Sequence, residues 1–80
     1  MQKLTIIDFE IIEDTVSYWQ LTQPIDSLTA TIEPYSFGKF QVKIYELDSQ
    51  VSAINSTTVN TLDEAVDAVD RYFQNYNPLT

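Results

Sequence analysis

The chain has no cysteine, no histidine, a single glycine and three prolines, and only 4 lysines and arginines stand against 12 aspartates and glutamates. The missing cysteines exclude disulfides, thiolate chemistry and cysteine-ligated zinc. The missing histidines remove the most versatile general base and the commonest metal ligand. No apolar run approaches the roughly 20 residues that span a bilayer. The N-terminal residues lack a basic stretch leading into an apolar one, so no signal peptide is expected and the cytoplasm is the expected compartment. The shortage of cations leaves a net charge of −8. Phosphate backbones and anionic lipid repel such a chain, so direct binding to nucleic acid or membrane is not expected, and its field favours basic partners.

What is present is enough to fold. Hydrophobic residues make up 44% of the chain and include five tyrosines, four phenylalanines and Trp19. Eighty residues correspond to one domain spanning 1–80. A domain of this size buries roughly 60–65% of its unfolded surface, which suffices for one sheet backed by one helix. It leaves no room for a deep enclosed cleft beside the core, so neither an enzyme nor a cofactor is expected.

Residues 4–12 read as a strand, with Ile7, Phe9 and Ile11 alternating with Asp8 and Glu10. Glu13 and Asp14 form a turn into a second strand over 16–22, giving an antiparallel hairpin. Pro24 interrupts the pattern. Leu28, Ala30 and Ile32 then alternate with Thr29, Thr31 and Glu33, the clearest half-buried strand in the chain. A turn around Gly38 leads to a fourth strand carrying Phe40, Val42 and Ile44. A weaker fifth strand is expected over 51–54, with residues 55–58 either prolonging it or forming loop. Thr61-Leu62-Asp63-Glu64 is a capping box opening a helix, whose apolar stripe is Leu62, Ala65, Val66, Val69, Phe73 and Tyr76. Asn77-Pro78 ends it. The expected fold is therefore α+β: an antiparallel sheet of four or five strands with one C-terminal helix on one face.

Two acidic groups are candidate partner-binding sites. Asp63, Asp67 and Asp70 recur at helical spacing and are expected to form one stripe facing away from the core. Asp8, Glu10, Glu13 and Asp14 come from the first hairpin, where Asp8 and Glu10 on one strand face would stand about 7 Å apart, close to the spacing of phosphates along a nucleic-acid strand. Against this, the helix dipole accounts for acids in a first turn, and edge strands carry charge to prevent aggregation. Paired carboxylates also suit hydrolysis, but only in a pocket that separates their acidities, and these residues are expected on open surface. No Gly-rich phosphate loop, calcium loop or nucleophile motif is present. Aromatic anchors form a third group. Tyr18 and Trp19 must point to opposite faces, Tyr35 sits in a turn with Phe37, and Tyr45 lies on the polar side of its strand.

In overall character (small, acidic, free of His and Cys, one sheet and one helix) the chain is similar to many small phage-encoded inhibitors, among them anti-CRISPR proteins and anti-restriction DNA mimics. The likeness is of character and aligns no residues. It implies a non-catalytic inhibitor, acting in the cytoplasm of a bacterial host, whose carboxylates occlude the nucleic-acid-binding surface of a basic protein or nucleoprotein complex. Reversing Asp67 and Asp70 together is then expected to weaken binding without unfolding the domain. The competing reading is an assembly module that pairs with itself, as a homodimer, or with another subunit through a sheet face or edge, using Trp19, Tyr35 and Tyr45.

Overall fold

The computed structural model describes residues 3–13, 17–49 and 51–76. Five strands pair antiparallel in the order of the sequence: β1 (Phe9–Ile12), β2 (Tyr18–Leu21), β3 (Leu28–Pro34), β4 (Phe40–Glu46) and β5 (Asn55–Val59). One helix, α1 (Leu62–Asn75), crosses one face of this sheet. The α+β architecture is the one the hydrophobic periodicity predicts. No helix of the described residues is long and apolar enough to cross a membrane.

Alternation in β3 and β4 decides which face is covered. Their register sets Ala30 against Ile44 and Ile32 against Val42, and all four are buried beneath the helix. Thr29, Thr31, Glu33, Gln41, Lys43 and Tyr45 fall on the other face, which carries no helix and is open except at Thr29, which is buried. On the helix, Ala65, Val66, Val69 and Phe73 supply the opposing apolar stripe, flanked by Leu62 and Tyr76. The helix starts where Thr61 takes an extended conformation and its hydroxyl oxygen accepts from the Glu64 N–H at 3.1 Å. The Glu64 carboxylate in turn accepts from the Thr61 hydroxyl at 3.2 Å, closing the cap between side chains. Asp63 and Glu64 lie in the first turn, at the positive end of the helix dipole.

Two elements depart from the expectation. The first strand is shorter, because Ile6–Asp8 forms a 3-10 turn. Asp8 holds that turn: its carboxylate accepts from the Thr5 N–H at 2.8 Å, and its own N–H donates to the Thr5 carbonyl at 3.0 Å. Ile7 is 86% exposed in consequence and contributes nothing to the alternation. The fifth strand is displaced. Residues 51–54 lie in a loop with Val51 94% exposed, and the polar segment Asn55–Val59 pairs with β4 instead. An edge strand needs backbone pairing on one side only, and Thr57, Thr58 and Val59 have the branched side chains that suit a pleated, half-wet surface. The Ile54 N–H, donating to the Ile44 carbonyl at 2.8 Å, leads the chain into that register. Asp14 and Asn77-Pro78 lie outside the described residues.

Candidate functional site

The predicted acidic stripe on the helix is not a stripe in the structure. Asp70 is 3% exposed. Its carboxylate accepts from the Leu4 N–H at 2.8 Å and from the Gln74 side-chain amide at 2.7 Å. The N-terminal segment lies along this flank of α1 and covers it, so Asp70 serves as a structural clasp rather than a surface charge. Asp67 is half-exposed and engages Arg71, whose Nε donates to Oδ2 at 2.8 Å and whose Nη2 reaches the same oxygen. That hydrogen bond, reinforced by the charges of Arg71 and Lys3, holds the Asp67 carboxyl below its ordinary value of 3.8. Asp63 alone of the three is exposed and without a cationic partner among the described residues.

The sign of the Asp67 shift has a measurable consequence. A depressed carboxyl stabilises the fold above its ordinary range, and that contribution is lost as pH falls through the lowered value. An NMR titration is expected to find the Asp67 midpoint below 3.8, and to find it returned to the ordinary carboxylate range in Arg71→Ala.

The hairpin array is likewise broken. Asp8 is half-buried and its carboxylate is turned to the Thr5 N–H, so it does not continue a line of charges with Glu10. Glu10 and Glu13 are exposed, Glu10 at the centre of β1 and Glu13 just beyond its end. The aromatic candidates divide in the same way. Trp19 is half-buried on the covered face, packed on the core and edge-to-face with Phe40 at 5.9 Å between ring centroids, so it is not a free contact residue. Its large apolar surface is better accommodated against Phe40 than in water. Tyr45 is half-buried on the uncovered face, where it borders a shallow depression with Tyr18, Gln20, Thr31, Glu33 and Lys43. Lys43 and Glu33 pair there at 3.2 Å, and the carboxylate, by hydrogen bond and by charge, raises Lys43 above its ordinary 10.5. Tyr35 is exposed in the turn between β3 and β4.

Topology places a different set along one end of the sheet. The β1–β2, β3–β4 and β5–α1 connections all leave the sheet at the same end, because consecutive strands alternate in direction. That end carries Glu13, Tyr35, Phe37 and Lys39 from the first two connections, and Asp63 and Glu64 from the opening of α1. Phe37 is 98% exposed, and its φ of 60° places it in the left-handed region that L side chains with a Cβ resist. The side chain gains nothing from folding, since it stands in water in both states, while the strained backbone has a cost, and strained residues cluster at functional sites. Sequence reading placed Phe37 in the turn without selecting it, since neither its exposure nor its dihedral follows from a local pattern. Phe37→Gly is expected to stabilise the fold by up to about 1 kcal/mol in a urea melt, by relieving the left-handed strain. The greater freedom of glycine in the unfolded chain offsets part of that gain.

Comparison of the chain with family models, with curated proteins and with solved structures gives no match. The site therefore stands on its own geometry.

Proposed function

We propose that this chain is a non-catalytic binding module that presents an acidic and aromatic rim to a basic surface of a protein or nucleoprotein partner, and so blocks that surface to nucleic acid. The observation that carries the reading is that Glu13, beside β1, and Asp63 and Glu64, beyond β5, stand along one end of the sheet, with Phe37 projecting into water from the β3–β4 connection between them. Carboxylates supply long-range attraction and set the approach, while a protruding aromatic ring fills a recess on the partner and supplies the short-range term. The charge balance supports the same reading. Lys43 and Arg71 are both engaged by acids of this chain, Glu33 and Asp67, whereas Glu10, Glu13, Asp26, Glu46, Asp48 and Asp63 are exposed without a cation beside them among the described residues. The uncompensated surface charge is thus mostly negative, with Lys39 the cation on the rim itself.

The test is affinity capture from nuclease-treated host lysate at low and high salt. Salt-sensitive recovery of a nucleic-acid-binding complex is expected. Recovery should be lost when Glu13 and Asp63 are both changed to lysine, and weakened in Phe37→Ala. All three residues are exposed, so the variants should fold. Undiminished recovery by the charge-reversed chain would overturn the rim as the site.

A further inference from the structure

The two edges of the sheet are not alike. β1 is four residues long and carries Glu10. β5 is five residues long, Asn-Ser-Thr-Thr-Val, with no charge, no proline and three branched side chains. No described element pairs with its outer edge. Exposed edges invite pairing with another chain, and natural proteins guard them with charge, proline, bulges or a covering loop. In a chain with 12 acids, an edge strand with no charge is an unguarded one.

We propose that β5 is the interface of a homodimer, in which two copies pair β5 with β5 antiparallel about a twofold axis at Thr57 and form one continuous sheet. The strand is suited to itself. Thr57 would face Thr57 of the second copy, and threonine pairs are favourable across antiparallel strands. The adjoining helix is self-complementary as well. Glu64, Ala68, Arg71 and Asn75 line the side of α1 that borders β5. Because α1 returns antiparallel to β5, Glu64 lies toward the Val59 end and Asn75 toward the Asn55 end. The twofold axis therefore turns Glu64 of one copy toward Arg71 of the other, a guanidinium that also holds Asp67 of its own chain. With each helix centred over β4, between β3 and β5, the two axes stand three strand spacings, roughly 14 Å, apart, a gap that arginine and glutamate side chains span. An isologous contact of this kind closes on itself, so pairing stops at two copies.

Salt separates this contact from attraction to a basic partner. The two copies repel through their net charges of −8, while the strand that joins them is uncharged. Screening therefore strengthens dimerisation and weakens binding to a basic surface. Sedimentation equilibrium of the full chain over a concentration series is expected to show a species of twice the chain mass, favoured at higher salt. The amides of β5 should gain protection from hydrogen exchange as concentration rises. Thr57→Lys sets like charges against each other at the axis and should raise the dimer dissociation constant by about tenfold. Arg71→Glu removes the opposite charge facing Glu64 and should weaken the dimer independently, so it decides the matter should Thr57→Lys fail to fold. A chain that remains monomeric throughout the series at both salt concentrations would overturn the proposal. So would a dimer insensitive to both substitutions, or one with unprotected β5 amides.

Discussion

Asp70→Ala is expected to lower the unfolding free energy by about 3 kcal/mol, and Asp70→Lys to prevent stable folding. The carboxylate accepts two hydrogen bonds in a buried setting, one from the Leu4 backbone and one from Gln74. Hydrogen bonds to a charged acceptor contribute about 1.5–3 kcal/mol each, and removing this one leaves the Leu4 N–H without its protein partner. A lysine there would present more donors to donors and bury a cation among apolar side chains. Asp63→Asn on the same helix should cost only about 0.5 kcal/mol, because the residue is exposed and loses no more than its attraction to the helix dipole. Urea denaturation of the three variants separates the roles, with a loss confined to position 70 as the expected pattern. Equal effects at positions 63 and 70 would contradict the clasp. The result also governs the choice of binding variants. Reversing Asp67 and Asp70 together does not isolate surface charge, since a loss of binding would follow from a loss of fold.

Ile32→Ala is expected to destabilise by about 3 kcal/mol in the same measurement. Ile32 is fully buried at the centre of β3, between Trp19 of β2 and Val42 of β4 and beneath the helix. Truncation removes three carbons from a site whose walls are two strands and a helix, so the space left cannot collapse and the lost contacts are not replaced. The size of the domain sharpens the effect, because a small core leaves little stability in reserve. Ile7→Ala provides the control. Its side chain already stands in water and the substitution should be nearly neutral.

The parts of the fold that were legible in the sequence are those fixed by neighbours in the chain. Alternation at residues 28–33 and 40–45 identified β3 and β4 because their apolar side chains lie on one face, although Thr29 on the other is buried too, and the Thr61 to Glu64 cap with its apolar stripe located α1. Local competition misled the reading elsewhere. Asp8 fits the polar side of a strand, yet its side chain satisfies the Thr5 amide and turns the chain into a 3-10 turn. Val51 to Ile54 looked more strand-like than Asn55 to Val59, but the edge of the sheet is specified by backbone pairing to β4, which composition does not encode. For the site, the exposure of Asp63 followed from helical spacing. The burial of Asp70 did not, because a segment 66 residues away supplies it. Trp19 and Phe37 show the same limit from opposite sides. A tryptophan suited to contact is spent on the core, and a phenylalanine suited to the core stands in water.

The matching of spatial order to chain order bears on how the molecule forms. Each strand finds its partner across a short connection, so the sheet can grow hairpin by hairpin with little loop-closure entropy at any step, a topology associated with rapid folding. The Leu4 to Asp70 contact lies outside that scheme, since it joins the first described segment to the helix made last. A contact of that sequence separation is expected to form after the rate-determining step, as a latch on a structure already assembled. Weakening it should therefore leave the refolding rate nearly unchanged and appear almost wholly as faster unfolding. The lifetime of the native state, rather than the speed of reaching it, is what Asp70 sets.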